Sequence, residues 1–150
     1  MHLEPIYIDK VSLDDHNPME TLSPDILEIE WYETKKKQFT RITSQGHLLS
    51  LSKESNLEWG QGMRLYSNEK HIATISIKPY LGICFYSDSP SLIADFCYYI
   101  GNRHLPIYHS NNKGYAVPYD GNLYEQLVRK YENAITLEQT YFLAKNFIRY

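Results

Sequence analysis

A chain of 150 residues with a formal net charge of −3 suits one domain or two small ones and can bury a core without covalent staples. Its 43% hydrophobic and 22% charged residues are those of an ordinary globular protein, and no apolar run approaches the roughly 18 to 20 residues of a membrane span. The acidic balance argues against a general nucleic-acid binder, which neutralises phosphates with a basic excess.

The opening stretch MHLEPIYIDK carries an acid early and lacks an apolar h-region. A signal peptide is therefore not expected, and the expected location is cytoplasmic. Cys84 and Cys97 fall in apolar segments and form no CxxC unit, which reads as two buried thiols in a reducing compartment. Lys35-Lys36-Lys37 reads as a solvated turn. Fourteen tyrosines suit half-buried sheet faces and subunit contacts, because each joins a large apolar body to a polar tip.

In chain order, Ile26 to Tyr32 alternates, with Leu27, Ile29 and Trp31 on one face and Ile26, Glu28, Glu30 and Tyr32 on the other. A charged turn over Thr34 to Lys37 predicts a return strand over Gln38 to Ile42. Gly46 marks the next turn, and His47 to Ser52 continues the sheet. Gly60 and Gly62 punctuate another reversal before strands over Arg64 to Tyr66 and Ile72 to Ile77. Such short spacing predicts a small sandwich or barrel-like sheet.

Pro79 ends that pattern. Leu81 to Tyr86 is strand-like, and Ser89-Pro90 is a helix start with an oxygen-bearing cap and proline at the first helical position. Leu92, Ile93, Phe96, Cys97 and Ile100 form one apolar stripe, and Gly101 is the expected stop. Leu105 to His109 is extended, Asn111 to Gly114 a turn, and Tyr115 to Val117 a returning strand. Asp120-Gly121-Asn122 caps a second helix bearing Leu123, Leu127, Val128 and Tyr131 on one face, and Ile135 to Phe142 is the last strand. The expected fold class is α+β: an N-terminal all-β domain over residues 1–78, then a ferredoxin-like β-α-β-β-α-β domain over residues 79–150.

The informative stretch is Cys97 to His109, CYYIGNRHLPIYH. His104 lies just past the helix, before a new strand. Position alone favours a capping or hydrogen-bonding histidine over a ligand.

Gly101-Asn102-Arg103-His104 followed by a short apolar strand resembles the signature of the UreE family of urease accessory proteins. The run Leu27-Glu28-Ile29-Glu30-Trp31-Tyr32-Glu33-Thr34-Lys35-Lys36-Lys37 is similar to that family's acidic-aromatic strand and basic turn. The resemblance spans roughly residues 20 to 145. It implies a nickel metallochaperone: a homodimer in which His104 binds Ni(II) where two C-terminal domains meet. It further implies delivery of the ion to the urease apoprotein together with the accessory GTPase UreG, with no reaction catalysed. Residues 1–78 would then bind a partner or peptide, and residues 79–150 would dimerise and hold the metal.

Neutral imidazole suits nickel, and Cu(II) or Zn(II) at the same site. A two-fold axis supplies a second copy of a lone histidine, and an open, partly water-filled site can release its ion as a closed thiolate site cannot. No histidine follows His109, and the segment where some members place a second histidine pair reads Val117-Pro118-Tyr119-Asp120. One strong site per dimer is therefore expected. His109, five residues beyond His104, would point to the opposite face of an unbroken strand and is a candidate outer ligand. His2, His16, His47 and His71 read as surface residues. Asn102 and Arg103 either cap the helix or orient His104.

Three other classes compete. An enzyme with Cys97 as nucleophile and His104 as base needs the pair within about 3 Å, whereas seven helical residues separate backbones by roughly 10 Å. An RNA-binding module would stack bases on a ferredoxin-like sheet; Lys113-Gly114-Tyr115 opens such a motif, but Ala116-Val117-Pro118 does not continue it. A protein-interaction module whose β domain holds a peptide is compatible with metal carriage. Neither nucleic acid nor membrane is expected as a partner.

Overall fold

A computed structural model describes residues 3–13, 25–110 and 113–148, and the chain divides into two units, Met1–Lys78 and Pro79–Tyr150. His2, His16 and the Asn111-Asn112 half of the expected turn lie outside the described residues.

In the first unit every described element but one short 3-10 turn is a strand: β1 (Ile6–Tyr7), β2 (Lys10–Ser12), β3 (Ile26–Ile29), β4 (Gln38–Ile42), β5 (Leu48–Ser52), β6 (Arg64–Ser67) and β7 (Lys70–Ile77). They form two sheets, ordered β1-β5-β4 and β2-β6-β7-β3. Alternation decides which side chains are inside. Leu27 and Ile29 of β3 are buried while Ile26 and Glu28 face water, and Leu49 and Leu51 do the same for β5.

Two expectations fail here. The alternating strand does not reach Tyr32, because Trp31–Glu33 is a 3-10 turn. Glu33 is buried; it accepts the Glu30 N–H at 2.9 Å, Arg41 Nη1 at 3.1 Å and Lys36 Nζ at 3.3 Å. Those bonds outweigh a continued ladder. Nor is β4 the return partner of β3: β4 pairs antiparallel with β5 (Phe39↔Leu51), and β3 runs parallel to β7 (Leu27↔Ile75) in the other sheet. The turn at Glu33 delivers the chain to a different sheet.

The second unit is α+β. Its elements run β8 (Tyr80–Phe85), α1 (Pro90–Asn102), β9 (Tyr108–His109), β10 (Tyr115–Pro118), α2 (Gly121–Tyr131) and β11 (Ile135–Thr140). The sheet order is β11-β8-β10-β9, every neighbour antiparallel. Both helices start as the sequence predicts: Ser89 Oγ accepts the Leu92 N–H at 3.3 Å, and Asp120 Oδ1 accepts the Leu123 N–H at 2.9 Å. Phe85 stacks on Phe96 with centroids 4.3 Å apart, and Tyr131 meets both edge-on. Ile83, Ile100, Ile107, Val117, Leu123, Leu127 and Ile135 complete this core.

The last strand ends at Thr140 rather than Phe142. Phe142 instead leaves the ladder and packs over Gly82 of β8. A Cβ on Gly82 would lie 3.1 Å from Phe142 Cζ and 2.7 Å from Thr140 Oγ1, so only glycine leaves room there. Phe142 and Phe147 both contact the Tyr108 ring, at 4.9 and 5.3 Å. The segment after β11 thereby returns to β9, where Ile148 N–H donates to Ile107 O at 2.9 Å.

Candidate metal centre

The site starts with how α1 ends. Gly101 does not stop the helix; α1 runs through Asn102, and Arg103 is its C-cap. His104 is the first residue beyond the cap and takes the left-handed conformation, φ +57°, that helix ends usually assign to glycine. Its N–H donates to Gly101 O at 2.9 Å, and the next N–H, of Leu105, reaches back to Ile100 O at 3.4 Å. This is the paired closure of a Schellman turn. Ile100 is fully buried, and Leu105 packs against the same apolar cluster, so the turn is clasped from inside while His104 is exposed.

Arg103, beside it, is drawn back along the helix. Its guanidinium lies 4.6 Å from the Tyr99 ring centroid and donates to Tyr99 Oη at 2.7 Å; Tyr99 O–H in turn donates to Gln126 Oε1 of α2 at 3.0 Å. Lys130 Nζ sits 4.9 Å from the same ring. Arg103 therefore ties the end of α1 to α2. The i, i+4 spacing of Tyr99 and Arg103 was the available sequence signal for this staple; Gln126 carried none.

His109 lies on β9 opposite Tyr115 of β10, the two rings 5.7 Å apart, and is exposed. β9 has only two residues, so the unbroken-strand argument that would put His104 and His109 on opposite faces does not apply. Leu105 to Ile107 is irregular, with Ile107 buried in the core. Among the described residues no three His, Cys, Asp or Glu side chains gather around either histidine or anywhere else.

No family model matches the chain. Curated proteins do align with it. The urease accessory protein UreE of Helicobacter pylori (strain G27) and that of Helicobacter acinonychis (strain Sheeba) are each 34% identical over 104 residues, covering 68% of this chain and 61% of the relative. UreE of Helicobacter bizzozeronii is 25% identical over 114 residues, 72% of this chain and 65% of that protein. The chain belongs to the UreE family. It spans about 61% of the length of the 34%-identical relatives.

Within this UreE chain the other described histidines are engaged in their own unit. His47 is more than a surface residue: its Nδ1 lies 2.8 Å from Oδ2 of the buried Asp25. The Asp25 carboxyl is pulled two ways. Burial alone would raise it, but hydrogen bonds from Thr43, His47, the Gln45 N–H and Ser44 bring it down from 3.8 to about 2. His71 Nε2 lies 3.1 Å from Ala73 O and 3.0 Å from Thr74 Oγ1. By contrast, no hydrogen bond or ion pair within the described residues occupies the His104 imidazole.

Cys97 is half-buried rather than buried, and Cys84 is fully buried; both are free thiols. Burial raises the pKa of each, which disfavours the thiolate and removes the ground for a cysteine nucleophile beside His104. Lys113-Gly114-Tyr115 is a turn entering β10. A Cβ on Gly114 would lie 2.5 Å from the Tyr86 ring, and Tyr115 is half-buried against the core cluster beside the His109 ring. Among the described residues no helix is long and apolar enough to cross a membrane.

Proposed function

We propose that the chain is a urease accessory protein that carries nickel and catalyses no reaction of its own. The second unit, read as a ferredoxin-like domain, dimerises and holds the ion at His104. The first unit engages protein partners, among them the urease apoprotein and the accessory GTPase UreG, in the cytoplasm. One observation carries this reading: His104 is an exposed histidine on a hydrogen-bonded helix-closing turn, with no partner for its ring among the described residues. Family membership supplies the context.

A lone imidazole is a weak ligand, and one chain gathers no three-residue set beside it among the described residues. A two-fold axis through His104 would double the imidazole count and leave the remaining positions to water. Such an open site holds an ion long enough to move it and then lets it go. Cu(II) and Zn(II) would compete at the same imidazoles. His109 stands as an outer group.

Calorimetric nickel titration with a simultaneous mass measurement tests this. The expected result is one ion per dimer, abolished by His104→Ala and weakened on the order of tenfold by His109→Ala. The affinity should fall on acidification as protons displace the metal from imidazole. A tight site at one ion per monomer, or an unaltered site in His104→Ala, would overturn the interface site.

A further inference from the structure

We infer that the closing turn of α1 is the positioning device of the site, with Leu105 as a positioning residue that touches no metal. The inference rests on His104 being the nickel ligand. His104 occupies the one position of a Schellman turn where a left-handed backbone is required. A Cβ is disfavoured there because it crowds the following carbonyl, and histidine lacks the freedom of glycine. The helix already contains a glycine, Gly101, but three residues too early to take the left-handed position.

The strained residue is held from both sides. Its own N–H is bonded to Gly101 O, and the Leu105 N–H to Ile100 O. The side chains of Ile100 and Leu105 belong to one apolar cluster, which anchors the turn in the core. The Cα–Cβ vector of His104 is thereby set by the helix end rather than by a loop. With its backbone so fixed, the side chain has only χ1 and χ2 left to lose on coordination, which favours affinity at a site with few ligands. A left-handed non-glycine residue persists only where its surroundings over-determine it.

The full-length chain and three variants test this. His104→Gly should raise the midpoint of denaturant unfolding, because it relieves the left-handed backbone, and should lose nickel. His104→Ala should lose nickel without raising the midpoint, since it keeps a Cβ. Leu105→Ala should leave the protein folded and dimeric at moderate temperature, yet weaken nickel binding at least about threefold. In that variant, amide exchange at His104 and Leu105 should accelerate while the central strand β8 stays protected. Equal midpoints for the glycine and alanine variants would overturn the inference, as would wild-type nickel affinity in Leu105→Ala. Nickel retained by both His104 variants would instead sink the ligand assignment while leaving the stability order intact.

Discussion

The two units of this chain hold their turns by different means. The first buries carboxylates: Asp25 gathers the 43–47 turn around its two oxygens, and Glu33 gathers the Glu30 N–H, Lys36 and Arg41. The second encloses an aromatic stack of Phe85, Phe96 and Tyr131 and keeps its polar caps at the surface. In the first unit specificity is electrostatic and depends on ionisation. In the second the buried core is steric, and its hydrogen-bonded carboxylates, Glu138 and Asp95, lie outside that core. The proposed ligand sits in the second kind of environment, where its backbone geometry is insulated from the charge state of the fold.

Phe96→Ala breaks the steric side. The ring is fully buried and closes the stack with Phe85, so its removal should cost about 3 to 5 kcal/mol. Denaturant unfolding followed by amide signals of β8 and β10 should show the loss. The first unit's signals should keep their transition, since its core contains none of these rings. A loss below about 1 kcal/mol would mean that the stack relaxes and is not the organising feature of the unit.

Acid is the corresponding break for the electrostatic side. Burial would raise the Glu33 carboxyl, but the Arg41 hydrogen bond, the Glu30 N–H, the Arg41 charge and Lys36 outweigh it and lower the carboxyl from 4.5 to about 2. Asp25 moves from 3.8 to about 2. Folded values below unfolded ones mean stabilisation that is complete above about pH 5 and lost as the pH falls towards 2. With side chains only 1% and 3% exposed, each carboxylate contributes about 2 to 3 kcal/mol. The first unit should therefore melt at a higher pH than the second in an acid titration followed by residue-resolved spectra. Asp25→Asn should flatten part of that dependence. Simultaneous acid loss of both units would erase the contrast.

This contrast also marks what the sequence could reveal. Elements fixed by local chemistry were legible: Ser89-Pro90 and Asp120 start their helices where expected, and the alternation of Leu27 and Ile29 reports burial correctly. Elements fixed by distant partners were not. The alternation runs on through Glu30 and Tyr32, but Glu33 is claimed by Arg41 from another strand, and the period-two pattern stops there. Parallel pairing of β3 with β7 has no local signature at all. At the candidate site, the tetrapeptide points to His104 through the family resemblance alone, and the glycine rule places the helix stop at Gly101, one residue before the helix ends. The helix runs on because Ile100 and Leu105 share the core, a tertiary fact.

The smallest expected effect probes the far end of α1. Ser89 is exposed and caps the helix with a single bond from its Oγ to the Leu92 N–H at 3.3 Å, while also meeting Ser91 Oγ at 3.3 Å. Ser89→Ala leaves the Leu92 N–H to water, and the loss should be about 1 kcal/mol. It should not depend on pH between about 3 and 8, because a hydroxyl does not titrate there. Nickel affinity should be unchanged as well, since the turn that holds His104 is closed at the opposite end by Ile100, Gly101 and Leu105. Thermal unfolding and a nickel titration on this one variant check both points. If affinity fell along with stability, the rigidity of the site would belong to α1 as a whole, and the closing turn would no longer be its determinant.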